Sequence, residues 1–217
     1  MSNKIQLYSL ATPNGQKIGI ALEEMEIPYD AHKVDIMKGD QFKPEFVKIN
    51  PNSKIPAIVD LDGPGGQPLS IMESGSILVY LGQKSGKFYP QDPRLQSEVL
   101  QWLFFQVGGI GPMFGQFGHF FKYAVGKCDH PYPLERYTNE TKRLLGVLDK
   151  HLEGRQFLVG EQYTIADMSI VTWVNGVRVH YKGEEKLELN KFTHVTAWVK
   201  RILDRPKTQK GLSVCAM

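Results

Sequence analysis

Several features that would assign a sequence to a specialised class are scarce or absent in these 217 residues. There are two cysteines, Cys128 and Cys215, and neither lies in a Cys-x-x-Cys pair or in metal-ligand spacing. This argues against a disulfide scaffold and favours a reducing, cytoplasmic compartment. The six histidines are scattered, with no pair at i,i+3 or i,i+4, so we expect no metal site.

An excess of one charge is also missing. The chain has 26 Lys and Arg against 23 Asp and Glu, a net charge of +3, and the signs are interleaved, so we expect no nucleic-acid partner. No apolar run approaches the roughly 18 residues of a membrane span. Residues 1–4 lead directly into a strand-like pattern, so we also expect neither a secretion signal nor a membrane anchor. With 41% apolar residues, the composition is typical of a globular protein.

The first 86 residues alternate between strand and helix patterns. Residues 4–9 alternate apolar and polar side chains and are followed by the breaker Thr12-Pro13-Asn14-Gly15. A helical pattern follows, with Glu23 and Glu24 on its polar side and an apolar face formed by Ile18, Ala21, Leu22 and Met25. Strand patterns at 29–34, 55–59 and 69–71 and helical patterns at 42–47 and 75–81 complete the order β-α-β-α-β-β-α.

The remainder of the chain shows only helical periodicity. Two prolines, Pro90 and Pro93, mark a boundary in the segment 88–93, which divides the chain into domains at 1–87 and 94–217. The apolar-striped stretch 94–123 contains Gly108-Gly109-Ile110-Gly111-Pro112, where we expect the helix to bend or break. Further helices are predicted at 134–152 and at 192–203, the last ended by Arg205-Pro206.

The segment Thr164-Ile165-Ala166-Asp167 has the pattern of a capping box, in which Thr164 and Asp167 each bond the other's main chain at the start of a helix. We expect it to nucleate a core helix. A catalytic acid is the alternative role for Asp167.

Three motifs together resemble the cytosolic glutathione transferases across essentially the whole chain: Asn52 to Ala57, Glu73 to Ile77, and the cap at Thr164 to Asp167. The resemblance implies an α/β thioredoxin-like N-terminal domain followed by an all-α C-terminal domain. Five further segments resemble the nu class, namely 12–17, 39–42, 102–109, 111–113 and 135–137. That class includes bacterial disulfide-bond reductases and is similar to the globular part of a yeast nitrogen-regulating prion protein, whose Asn/Gln-rich arm we do not expect here.

The resemblance implies a bound glutathione. Ser74, which opens a helix, would bind the γ-glutamyl carboxylate with the aid of main-chain amides and the helix dipole, and Glu73 would face the ammonium. Pro56 resembles the cis-proline of thioredoxin-like folds, which would turn the Ile55 main chain toward the cysteinyl moiety. Gln41 and Lys54 would meet the glycyl end. Taken alone, Pro56 would be a strand-start proline and Lys54 a solvated surface charge.

The thiol chemistry is assigned to Thr12 and Asn14, since a helix N-terminus stabilises a thiolate and lowers the thiol pKa from about 8.5. In isolation both would be ordinary turn and cap residues. Tyr8 would suggest the tyrosine-activated classes, but the Thr-Pro-Asn pattern matches the nu class, so we assign Tyr8 to packing. By its motif, Arg136 should reach a glutathione carboxylate or help to bind a second glutathione; as a bare helix arginine it would be a surface charge.

The leading functional expectation is reduction of small disulfides by bound glutathione thiols, with glutathione as the co-substrate and no metal. Conjugation of glutathione to an electrophile is a second hypothesis, because it uses the same activated thiolate. A third hypothesis is a non-catalytic, glutathione-binding regulator. The resemblance also implies a homodimer, with 94–123 as the interface element.

Overall fold

A computed structural model describes residues 4–216. Residues 1–3, on which the expectation of no secretion signal partly rests, lie outside the described residues. The chain forms two compact units, of which the first comprises the described residues up to Tyr89 together with those from Asp204, and the second comprises Pro90–Leu203.

The first unit is built on a four-stranded sheet of order β2-β1-β3-β4. Strand β1 pairs parallel with β2 and antiparallel with β3, which pairs antiparallel with β4. The strands are β1 (Ile5–Ser9), β2 (Tyr29–Lys33), β3 (Ala57–Asp60) and β4 (Leu69–Met72), and the helices between them are α1 (Pro13–Met25), α2 (Pro44–Val47) and α3 (Ser74–Ser85). The predicted order β-α-β-α-β-β-α is therefore confirmed, with short 3-10 turns at Asp40–Phe42 and Pro64–Gly66.

The helix predicted at 192–203 ends at Leu203, before Arg205-Pro206, as predicted. The segment after it differs from the prediction, which placed it in the helical domain. Pro206 instead opens another helix, α10 (Pro206–Leu212), which packs on α1 in the first unit. The two helices are in such close contact that a Cβ added to Gly211 would lie 2.4 Å from Ile20 Cα.

Glu24 does not lie on a solvated face, as the helical pattern of α1 predicted, but is 4% exposed. Arg205 Nε and Nη2 donate to its two carboxylate oxygens at 2.8 and 2.7 Å, and Thr208 Oγ1 donates at 2.9 Å. A buried carboxylate is tolerated when it is paired and hydrogen-bonded in this way.

The second unit is entirely helical in its regular structure. Its helices are α4 (Pro93–Phe105), α5 (Gly111–Gly118), α6 (Pro131–Leu152), α7 (Ile165–Gly176), α8 (Glu184–Leu187) and α9 (Thr193–Leu203), with π turns at Gln106–Ile110, His119–Tyr123 and Val177–Tyr181. No helix within residues 4–216 is long and apolar enough to cross a membrane. The same residues contain no group of three His, Cys, Asp or Glu side chains placed to hold a metal ion.

The glycine-rich segment 108–112 does not break the helical backbone. Gln106 and Gly111 both keep right-handed helical angles, and the Gly111 N–H donates to the Gln106 carbonyl, five residues back. A π turn of this kind inserts one extra residue per turn, so α4 passes into α5 without leaving the helical conformation before Pro112.

The predicted capping box is confirmed at the start of α7. The Thr164 N–H donates to Asp167 Oδ2 at 2.9 Å. Asp167 Oδ1 also accepts from the Leu158 N–H at 3.0 Å and from Trp198 Nε1 at 2.9 Å. The carboxylate is fully buried, and this burial raises the pKa of Asp167.

Candidate functional site

One edge of the sheet collects most of the predicted site residues. Tyr8, near the end of β1, lies opposite Ala57 at the start of β3, and Ala57 lies opposite Met72 at the end of β4. The turn after β1, the Ile55-Pro56 segment before β3 and the Glu73-Ser74 pair after β4 therefore meet at the same edge. Since β2 runs parallel to β1, the loop that carries Gln41 also starts from this edge.

Thr12 caps the first helix. It has extended main-chain angles, and its Oγ1 accepts from the Gly15 N–H at 3.3 Å while Pro13 begins α1. A Cβ at Gly15 would lie 1.9 Å from the Leu10 carbonyl oxygen, so the tight turn requires glycine. The Ala11 N–H donates to the Cys215 carbonyl at 3.0 Å, which ties the turn to the C-terminal segment.

Asn14 and Tyr8 are both half-buried near this turn. Asn14 occupies the first turn of α1, beside the cap. The ring of Tyr8 stacks on His32, with centroids 4.7 Å apart, and meets Phe46 edge-on at 6.4 Å. These ring contacts fit the packing role assigned to Tyr8.

The Ile55-Pro56 peptide bond is cis. The pairing of β3 begins only at Ala57, so Ile55 lies outside the strand ladder. The preceding loop is held by Asn50, whose Nδ2 donates to the Lys54 carbonyl at 2.6 Å. The Lys54 side chain is exposed.

Gln41 lies in the 3-10 turn Asp40–Phe42. Its Nε2 donates to the Ile36 carbonyl at 3.4 Å, whereas its Oε1 is buried and accepts no hydrogen bond from the described part of the chain. A buried acceptor without a partner is costly, so this oxygen is suited to a ligand donor.

Glu73 and Ser74 stand at the start of α3. Glu73 has φ +66° and ψ 114°, a conformation that few non-glycine residues adopt, and its side chain is exposed. Such strain costs about 1–3 kcal/mol and is found most often at functional sites. Ser74, the first residue of the helix, is 7% exposed. The pair therefore presents a carboxylate and a hydroxyl at a helix N-terminus.

Lys17 belongs to this site and was not assigned a role from the sequence. It is 1% exposed, and its Nζ donates to Ser74 Oγ at 3.1 Å, which links α1 to the start of α3. Burial lowers the pKa of Lys17 to about 7, and the nearby Glu73 carboxylate partly opposes this effect. One sequence signal existed: Lys17 lies four residues before Ala21 and so shares the apolar stripe of α1.

Arg136 is the predicted site residue that lies in the second unit. It is exposed near the start of α6. It lines a cleft of about 540 Å³ with Met113, Tyr132 and the ion-paired Glu140 and Arg143. The cleft offers both a guanidinium group and an apolar wall.

Comparisons with known proteins assign both halves of the chain. The family model for the glutathione S-transferase N-terminal domain matches residues 11–84, and the model for the C-terminal domain matches residues 129–206. A relative from Escherichia coli, the disulfide-bond oxidoreductase YfcG, is 48% identical over 96% of this chain and 94% of its own length.

Two solved structures share the fold closely. A glutathione transferase family member from Pseudomonas fluorescens, solved with two glutathione bound, has a TM-score of 0.96 at 50% identity and covers 98% of this chain and 93% of its own. A glutathione transferase from Pseudomonas putida, with one glutathione disulfide bound per subunit, has a TM-score of 0.95 at 49% identity over 98% and 92%. These structures confirm the predicted combination of a thioredoxin-like unit with a helical one, and the chain belongs to the glutathione S-transferase family.

Proposed function

We propose that this protein is a glutathione-dependent disulfide-bond oxidoreductase of the nu class, which uses bound glutathione thiols to reduce small disulfides. The observation that carries the proposal is the meeting, at one sheet edge, of the Thr12 turn, the cis Ile55-Pro56 bond and the Glu73-Ser74 pair. The relative YfcG, named a disulfide-bond oxidoreductase, supports it.

The γ-glutamyl end of glutathione is assigned to Glu73 and Ser74. The buried Ser74 hydroxyl and the main-chain amides at the start of α3 suit the α-carboxylate, and the exposed Glu73 carboxylate suits the ammonium. The main chain of Ile55, outside the strand ladder, would pair with the cysteinyl moiety. Gln41 and Lys54 are assigned to the glycyl end, and Arg136 to a glutathione carboxylate or to a second glutathione.

The thiol of the bound glutathione is assigned to the start of α1. Thr12 and Asn14 would stabilise a thiolate with their side chains, aided by the positive end of the helix dipole. The turn itself contains no cysteine. Burial raises the pKa of the Cys215 thiol, which makes it a poor nucleophile. The reacting sulfur atoms would therefore be those of glutathione and of the substrate.

The reaction proceeds by two thiol exchanges. One glutathione thiolate attacks the substrate disulfide, which forms a mixed disulfide and releases one substrate thiolate. A second glutathione thiolate then attacks the glutathione sulfur of the mixed disulfide, which yields glutathione disulfide and the second substrate thiolate. Two glutathiones are oxidised for each disulfide reduced, and both released thiolates take up protons.

Three further assignments accompany this function. Residues 1–87, together with the C-terminal segment from Asp204, are proposed as the glutathione-binding domain, and residues 94–203 as the second domain. A homodimer is proposed through 94–123, where Phe104 is 69% exposed, since a large exposed apolar side chain commonly marks an interface. A reducing cytoplasm suits two cysteines that remain free thiols in the structure.

The test compares turnover of hydroxyethyl disulfide with turnover of an aryl halide. We expect rapid glutathione-dependent reduction of the disulfide and little conjugation of the halide. Asn14→Ala and Thr12→Ala should each lower kcat for the disulfide about tenfold or more, since one lost hydrogen bond to a charged sulfur is worth about 1.5–3 kcal/mol.

Thr12→Ser is the matched control because it keeps both the hydroxyl and the helix cap, and we expect it to retain most activity. Unchanged reductase turnover in Asn14→Ala and Thr12→Ala would refute the assignment of the thiol site. A faster rate with the halide than with the disulfide would instead favour conjugation, and glutathione binding without either activity would favour a regulator.

A further inference from the structure

Burial disfavours the charged form of the Lys17 amine, and the Glu73 carboxylate opposes only part of this effect. Lys17 lies in the second turn of α1 and reaches the first residue of α3, so it stands near the N-termini of two helices, whose dipoles repel a cation. It is also almost completely buried, at 1% exposure. A buried lysine stays charged only when an anion lies beside it.

Most of the charged side chains on the neighbouring elements form ion pairs with residues other than Lys17. From α3, Glu73 acts on Lys17, whereas Lys84 pairs with Asp60 at 2.8 Å. The basic residues on and beside α10 pair with acids at the far end of α1, in the pairs Arg205–Glu24, Lys207–Glu26 and Lys210–Glu23. A ligand carboxylate at Ser74 would therefore be a strong new influence on the charge of Lys17.

We propose that Lys17 is a positioning residue of the γ-glutamyl site, which fixes the Ser74 hydroxyl and takes up a proton from solvent when the α-carboxylate of glutathione binds there. The inference rests on the proposed function, because it places that carboxylate at Ser74. No bond to the ligand is made or broken in this step; the proton goes from water or buffer to the Lys17 amine.

The coupling between proton uptake by Lys17 and glutathione binding makes the affinity change with pH in a defined direction. In the free protein the pKa of Lys17 is about 7, so above that pH the amine is mostly neutral. A bound carboxylate raises this pKa, and binding then takes up a proton at any pH between the two values. Affinity for glutathione should fall as the pH rises through this interval, by up to about tenfold per pH unit.

The first experiment measures the lysine directly in the wild-type protein. Lysine side-chain signals of the ¹³C-labelled protein are followed by NMR from pH 5.5 to 9.5, without and with saturating S-methylglutathione, whose blocked sulfur cannot titrate. We expect one lysine to titrate near neutrality in the free protein and its pKa to rise by about one unit or more with ligand. No lysine titrating below pH 9, or no change on binding, would overturn the proposal.

The second experiment measures the Kd of S-methylglutathione by calorimetry at pH 6.5, 7.5 and 8.5 for the wild type, Lys17→Met and Lys48→Met. Lys48 is exposed on the same unit and serves as the control, which should match the wild type. Lys17→Met should bind at every pH about as weakly as the wild type does at pH 8.5. Both proteins bind the same ligand, whose amine titrates identically in the two measurements. The difference in pH dependence between the two proteins therefore isolates the contribution of Lys17.

The outcomes separate the two proposals. If S-methylglutathione fails to bind the wild type, the proposed function fails. If it binds but Lys17→Met keeps the wild-type pH dependence, only the role of Lys17 fails. Should Lys17→Met not fold, the NMR titration of the wild type decides the question alone.

Discussion

The N-termini of α3 and α7 differ in how their free main-chain N–H groups are capped. At α7, Thr164 and Asp167 form a capping box, and the buried Asp167 also accepts from Trp198 Nε1. At α3, within the described residues, the N-cap Glu73 makes no capping hydrogen bond and has a positive φ, and a buried lysine adjoins the first turn.

The difference separates stability from binding. A helix start whose donors are already satisfied contributes to folding and has nothing left for a ligand. A helix start with a strained, uncapped N-terminus is less stable by itself, but its amides remain suited to an anion. In this protein the first kind lies in the helical unit and the second in the unit that carries the proposed glutathione site.

The largest effect is expected from Asp167→Ala. It leaves several buried donors unpaired, so the free energy of unfolding should fall by about 3–5 kcal/mol. All three tryptophans, Trp102, Trp173 and Trp198, lie in the second unit, so urea unfolding followed by tryptophan fluorescence reports on it.

Asp149→Ala is the control for this variant. Asp149 accepts from the main-chain N–H groups of His194 and Val195 at 2.9 and 3.0 Å, as Asp167 does from main-chain donors, but at an exposed helix start. We expect a loss of about 1 kcal/mol there. Equal losses in the two variants would contradict the importance of burial at α7.

A smaller effect is expected from removing one hydroxyl at each helix start. Ser74→Ala should weaken binding of S-methylglutathione about tenfold, since it removes a ligand hydrogen bond. It should also lower the free energy of unfolding by about 1–3 kcal/mol, because the buried Lys17 amine loses the Ser74 hydroxyl as an acceptor. Thr164→Ala should lower the free energy of unfolding by about 1–2 kcal/mol and leave Kd unchanged. The Kd therefore carries the contrast between the two helix starts, which would be lost if Thr164→Ala weakened binding as much as Ser74→Ala.

The smallest effect tests the main-chain strain at Glu73. Glu73→Ala and Glu73→Gly both remove the carboxylate, so both should lose affinity for S-methylglutathione equally. Only glycine adopts φ +66° without a Cβ clash, so the glycine variant should be the more stable by about 1 kcal/mol. Thermal unfolding by circular dichroism measures the difference, and equal midpoints would mean that Glu73 is unstrained.

Features set by adjacent residues could be predicted from the sequence. The breaker at Thr12 to Gly15 marks the start of α1, and the spacing of Thr164 and Asp167 gives the cap of α7, because both signals act within one helical turn. The order of strands and helices along the first 86 residues followed from the alternation of patterns. The roles of the site residues were inferred from the family resemblance, and they stay predictions.

Features set by distant partners could not be predicted. Glu24 looks solvated in the pattern of α1 and is buried because Arg205, 181 residues later, binds it. Pro206 looked like a terminator, yet proline also suits the first turn of a new helix, and only packing on α1 decides between the two. The position of Lys17 four residues before Ala21 indicates burial, but only the packing of Ser74 beside it shows which group its amine meets.

The return of the chain to the first unit after Leu203 also has a consequence for biosynthesis. The ribosome makes the strands of the sheet first. Glu24 of α1 gains its partner Arg205 only when the C-terminal segment is made. The unit that carries the proposed site is therefore completed only after the helical unit has been translated. In a nascent chain halted before residue 204, the helical unit would be whole and the glutathione unit would not.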